Sequence, residues 1–176
     1  GGTMNNKVVY QLFHAFVRRG YSVLRFNFRG VGRSQGEHDA GIGELSDGAA
    51  ALDWIQTYNP DAPNCWVAGF SFGAWIGMQL LMRRPEIEGF ISVSPPANMY
   101  DFNFLAPCPS SGIIIQGTSD DVVDEEATAK LAEKLQAQKA IEVEYVKIAG
   151  ASHFYEKHMA EMTDTVETYL NKRLGT

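Results

Sequence analysis

The sequence predicts an α/β fold, a mostly parallel sheet flanked by helices on both faces, built as a single domain over residues 1–176. Three observations predict it. Short apolar runs alternate along the chain with segments of helical periodicity. Most of these runs lack the in–out alternation of half-exposed strands, which suits a sheet covered on both sides. At 176 residues, 45% hydrophobic and 20% charged, the chain has room for one well-filled core.

Val9, Leu12, Phe13, Phe16 and Val17 recur at helical spacing until Arg18, Arg19 and Gly20, so a first helix is expected over residues 5–19. Residues 22–28, rich in Val, Leu and Phe, then read as a strand. A Gly-rich stretch over residues 29–36 leads to a second helix through Ile42, Leu45, Ala49, Leu52 and Ile55. Residues 64–70 form the next apolar run. It passes directly into residues 72–84, apolar almost all round and closed by Pro85, which predicts a buried helix. Further strands are expected at residues 89–93 and 113–116, and a helix at 125–138 carrying Leu131 and Leu135. Ile141, Val143 and Tyr145 alternate with Glu142 and Glu144, the signature of a strand near a sheet edge. A final helix presents Met159, Met162, Val166, Tyr169 and Leu170 on one side. The irregular Pro-containing segment of residues 94–111 stands between two strands, with no room for an inserted lid domain.

Composition excludes several functions. Fifteen Lys and Arg against 21 Asp and Glu give a formal charge of −6, which leaves no basic footprint for nucleic acid. No apolar run approaches the roughly 18 residues of a transmembrane helix, and the N-terminus lacks signal-peptide layout. A cytoplasmic protein without a membrane partner is expected. Cys65 and Cys108 show no metal-ligand spacing and read as reduced structural thiols. Nothing in the sequence calls for a metal or an organic cofactor.

Gly69-Phe70-Ser71-Phe72-Gly73 matches Gly-x-Ser-x-Gly. In a chain with 17 Gly the string arises by chance with a probability of roughly one in ten, so its setting decides. A strand ends at Gly69 and a buried helix begins at Phe72, which puts Ser71 at the tip of a sharp turn with its hydroxyl above the sheet. Both glycines are expected to be crowded positions that exclude a Cβ. The Phe72 amide, at a helix N-terminus, is the candidate oxyanion donor. A serine needs a base. His153, in a small-residue loop after the last strand, is preferred over His14, His38 and His158. The orienting acid is Asp120 or the adjacent Asp121, after the strand at 113–116; Asp124 reads as a helix cap.

With these motifs in the order Ser, Asp, His, the chain resembles the α/β-hydrolase superfamily over nearly its whole length. The loop Asn27-Phe28-Arg29-Gly30-x-Gly32-x-Ser34-x-Gly36 is similar to the family's Asp-x-Arg-Gly-x-Gly-x-Ser-x-Gly, with Asn27 in place of Asp. The family pattern Gly-x-x-Asp-x-Val-Val selects Asp120. The likeness is greatest to small bacterial serine esterases without a lid, including the dienelactone-hydrolase-like branch, whose dienelactone enzymes carry Cys where this chain has Ser71. It implies hydrolysis of short- to medium-chain esters or thioesters through an acyl-enzyme, without a metal or organic cofactor. A peptidase would use the same three residues. The family sheet has eight strands, several before its first helix, so the resemblance also implies that about three N-terminal strands and the second oxyanion donor are absent from residues 1–176. They are expected to be left out of this sequence, cleaved off or supplied by a second chain, and a homodimer is left open.

Two other readings compete. Gly30-x-Gly32-x-x-x-Gly36 could cradle a dinucleotide phosphate, although its spacing is not Gly-x-Gly-x-x-Gly and Gly41 and Gly43 delay the following helix. A hydrolase fold kept as a binding module is the non-enzymatic alternative.

Overall fold

The computed structural model describes residues 6–25, 36 and 41–175. The chain divides into two compact units, Gly1–Pro63 and Asn64–Thr176.

The first unit contains α1 (Lys7–Val17) and α2 (Ile42–Tyr58). Asn6 caps α1, its side chain accepting the Val8 amide at 2.8 Å. The helix ends where the sequence predicts: Gly20 takes φ +82° and the Tyr21 amide returns to the Phe16 carbonyl at 3.2 Å. Residues 21–25, the start of the expected strand at 22–28, are irregular, and residues 26–28 lie outside the described residues. Arg25 lays its guanidinium 4.6 Å from the Phe13 ring centroid, while Ser22 bonds to Asn59, the C-cap of α2, at 2.7 Å.

The second unit carries the sheet. Its elements are β1 (Cys65–Phe70), α3 (Phe72–Arg83), β2 (Ile87–Val93), β3 (Gly112–Gly117), α4 (Glu125–Gln136), β4 (Val143–Ile148) and α5 (Met159–Leu174). All pairings are parallel, in the order β1-β2-β3-β4. Ile113, Ile114 and Ile115 are at most 1% exposed; because successive strand residues face opposite sides, the sheet is covered on both. Each such buried side chain contributes roughly 1.5–3 kcal/mol. Trp66 and Val67 show what covers the two faces. Gly77 of α3 packs on Val67, whereas Tyr169 of α5 meets Trp66 edge-on at 6.3 Å. So α3 and α5 lie on opposite faces.

The last strand sits at an end of the described sheet, as its alternation predicts, but begins at Val143 rather than Ile141. Register explains the difference: β4 pairs from Gly112↔Val143 to Gly117↔Ile148, so its bounds follow those of β3. No helix interrupts residues 94–111, and among the described residues no helix is long and apolar enough to cross a membrane. Cys65 and Cys108 are not in a disulfide, and burial raises the Cys108 pKa despite its bond to the Ser110 carbonyl.

Candidate active site

Ser71 stands between β1 and α3 with φ 55° and ψ −120°, a conformation that costs a non-glycine residue about 1–3 kcal/mol. Two sets of contacts hold it there. The Ser71 amide donates to the Val93 carbonyl of β2 at 2.8 Å, and the Ser71 carbonyl accepts the Ala74 amide at 2.9 Å. The turn is so tight that a Cβ on Gly69 would lie 2.4 Å from the Gly73 carbonyl oxygen. The expectation for Gly73 needs correction: apart from its chain neighbours and its own helix backbone, nothing described lies within 4 Å of a Cβ built there. The approach is made by the Gly73 main chain toward Gly69, so the steric demand falls on Gly69 alone. Phe72 opens α3, with its amide at the positive end of the helix dipole.

Asp120 follows β3 and His153 follows β4. They meet: His153 Nδ1 lies 2.8 Å from Asp120 Oδ2, with the two side chains 6% and 0% exposed. Asp120, and not the exposed Asp121, engages the imidazole. The carboxylate is fully furnished with donors. Its Oδ1 accepts the amides of Val122 and Val123, each at 2.8 Å, and its Oδ2 also accepts Gln116 Nε2 at 3.1 Å. Burial by itself would raise the Asp120 pKa. The hydrogen bonds from His153, Val123 and Val122, with the attraction that His153 exerts when its ring is protonated, outweigh it and hold the carboxyl below its ordinary value. An ionised carboxylate only accepts, so Nδ1 carries the proton and Nε2 is left as a base.

The His153 loop has far to reach. Strands β1 and β4 are separated by three interstrand spacings of about 4.8 Å, so residues after β4 must fold back across the strand ends to approach Ser71. They do so: the His153 ring lies 4.9 Å from that of Phe70, the residue before Ser71, and 5.0 Å from that of Phe154. Gly117 makes the return path possible, because a Cβ there would fall 2.4 Å from the Ala151 carbonyl oxygen. Bonds from the Ser119 amide to Ala151 and from the Gly150 amide to Thr118 Oγ1 tie the Asp120 and His153 loops together.

The remaining candidates lie elsewhere. His14 is in α1, 4.2 Å from the Tyr10 ring, and His158 is the N-cap residue of α5. Asp124 caps α4 through the Glu126 amide. His38 and, apart from Gly36, the Gly-rich loop lie outside the described residues; the helix after that loop begins only at Ile42. Sequence reasoning passed over Gln116 and Thr128. Both are fully buried, and Thr128 Oγ1 donates to Gln116 Oε1 at 3.1 Å. A Gln closing an otherwise apolar strand was the signal that could have found the first.

The model of the X-Pro dipeptidyl-peptidase (S15) family matches residues 2–173. The chain belongs to that family of α/β hydrolases. This S15-family chain is 50% identical over 173 residues to an uncharacterised protein of Rickettsia prowazekii, covering 96% of itself and 73% of the relative. It superposes on the crystal structure of a candidate α/β hydrolase of unknown function from Agrobacterium tumefaciens with a TM-score of 0.97 at 59% identity, covering 99% and 80% of the two chains. A lidless α/β serine hydrolase from Xanthomonas campestris follows at a TM-score of 0.88 and 34% identity, covering 98% and 76%. The hydrolase fold and the lidless bacterial branch that the motifs suggest are therefore those of the chain, and the chain is a hydrolase by descent.

Proposed function

We propose that the protein is a serine hydrolase that cleaves carboxylic esters or thioesters of short to medium acyl chains through an acyl-enzyme on Ser71. The carrying observation is the pairing of a strained serine turn with a buried Asp120–His153 hydrogen bond whose loop returns to Phe70. Ser71 Oγ attacks the substrate carbonyl carbon as its proton passes to His153 Nε2. Asp120 holds the imidazole in that tautomer and stabilises the imidazolium. The Phe72 amide donates to the developing oxyanion. His153 then returns the proton to the departing alcohol or thiol, and water, activated by the same base, releases the acid. Phe72, Trp75 and Tyr100, in mutual ring contact at 4.3 to 5.8 Å beside Ser71, supply an apolar surface suited to an acyl group.

The family description favours a second reading, cleavage of Xaa-Pro amide bonds by the same residues. Initial rates on p-nitrophenyl esters from acetate to dodecanoate, beside an Xaa-Pro p-nitroanilide, separate the two. Ester turnover that disappears in Ser71→Ala and exceeds anilide turnover supports the first; preferential anilide cleavage replaces it with the second. If neither substrate turns over, a fold retained for binding becomes the reading.

A further inference from the structure

We propose that Gln116 is a positioning residue of this site, acting on His153 through Asp120. The inference rests on the catalytic reading of Ser71, Asp120 and His153 and adds a residue to it. Gln116 is the penultimate residue of β3, 0% exposed, with its amide directed along the strand end toward Asp120. The orientation of that amide follows from chemistry. Its nitrogen faces Asp120 Oδ2 and the Gly117 carbonyl, each at 3.1 Å, and both can only accept. Rotating the amide would set oxygen against both. On its other side Oε1 receives the hydroxyl of buried Thr128, which also lies 3.3 Å from the Pro95 carbonyl.

The consequence concerns the carboxylate. Oδ1 is held by two main-chain amides, while Oδ2 has two donors, His153 Nδ1 and Gln116 Nε2. Four donors occupy the four lone-pair directions, so the plane of the carboxylate is fixed from both sides. Without Gln116, Oδ2 would be held only by the imidazole that it is meant to orient. A buried amide with every polar atom engaged is rigid, whereas a half-satisfied network is not. Thr128 fixes Gln116, Gln116 fixes Asp120, and Asp120 fixes the ring. The other titratable group facing this carboxylate is the buried phenol of Tyr155, which bonds to Ser94 and is not part of the chain of contacts to Gln116.

The test uses the full-length protein and the near-isosteric variant Gln116→Met, alone and combined with Asp120→Asn. Displacing a catalytic group slightly costs up to about 100-fold, so Gln116→Met is expected to lower kcat by about 10- to 100-fold with KM changed by less than about threefold. In the Asp120→Asn background the same substitution should cost less than about threefold, because its effect runs through the carboxylate. The downfield proton of His153 Nδ1 in the NMR spectrum should broaden or move in Gln116→Met and persist in Ser71→Ala. If Gln116→Met does not fold, Thr128→Val, which removes the hydroxyl at similar volume, should show a smaller kcat loss with the same dependence on Asp120. An equal loss in both backgrounds, or an unaltered kcat and Nδ1 proton, overturns the proposal. Should Ser71→Ala and Asp120→Asn leave activity intact, the catalytic reading fails, and the Nδ1 proton still reports whether Gln116 holds the pair.

Discussion

Two serines occupy nearly the same backbone situation in this molecule, and only one of them is proposed to act as a nucleophile. Ser71 follows β1 with φ 55°, and Ser94 follows β2 with φ 53°. Each donates its amide at 2.8 Å to a carbonyl of the next strand, Val93 for Ser71 and Ile115 for Ser94. Their surroundings then diverge. Ser71 leads into the N-terminus of α3, is partly exposed, and neighbours the Phe70–His153 contact. Ser94 leads into Pro95 and Pro96, is 0% exposed, and has its hydroxyl bonded at 2.9 Å to the fully buried Tyr155 phenol. On the proposed reading, strain at a strand end does not by itself make a nucleophile; the following helix, access and the nearby imidazole set Ser71 apart.

The contrast breaks most sharply under alanine. Ser71→Ala should remove at least about 10⁵-fold of kcat, the scale seen when a nucleophile of a concerted site is lost. Ser94→Ala should keep activity within about threefold while lowering unfolding free energy by about 1 kcal/mol, the worth of one buried hydrogen bond. Esterase rates and urea melts of the two variants together check this. Equal activity losses would make the turn, not its surroundings, the functional element.

A similar contrast holds for the neighbouring aspartates. Asp120→Asn should lower kcat by about 10⁴-fold, since the amide favours the wrong imidazole tautomer, and Asp121→Asn should change it less than about twofold. Steady-state kinetics on both variants sharpen the assignment. Gly69→Ala should also impair the site, because the added methyl meets main chain at 2.4 Å, while Gly73→Ala should be the milder change; thermal melts and ester rates rank them.

The smallest effect concerns acid. Folding lowers the proton affinity of Asp120, so the unfolded chain binds that proton first as pH falls. Its contribution to stability is complete above the unfolded value of about 3.9 and disappears as pH descends through the lower folded value. The stability difference between the parent and Asp120→Asn should therefore shrink across that acidic window; a difference independent of pH would contradict the pairing.

Much of this was legible in the sequence because local signals and topology agree. Ser71 could be read because the strand pattern ends and the helix pattern begins around it, and His153 because small residues follow the last strand. Asp120 and Asp121 could not be separated by pattern, only by family likeness, since which carboxylate reaches the ring depends on how residues 117–123 turn after β3. The roles of Gln116, Thr128, Tyr155 and Ser94 stayed hidden for a related reason. The bonds of Thr128 to Gln116 and of Ser94 to Tyr155 join residues 12 and 61 positions apart, and that of Gln116 to Asp120, though only four apart, depends on how the chain turns after β3; such partners are set by strand register and loop return rather than by periodicity. The motif does not distinguish Gly69 from Gly73, because it shows which residues recur and not which of them bears the steric load.

The most direct measurement is peptide mass analysis after brief treatment of the full-length protein with a fluorophosphonate. A single adduct on Ser71, lost in His153→Ala and slowed in Asp120→Asn, is the predicted result. Failure to label Ser71, or labelling that is indifferent to His153, would contradict the account that this serine is activated by the Asp120–His153 pair.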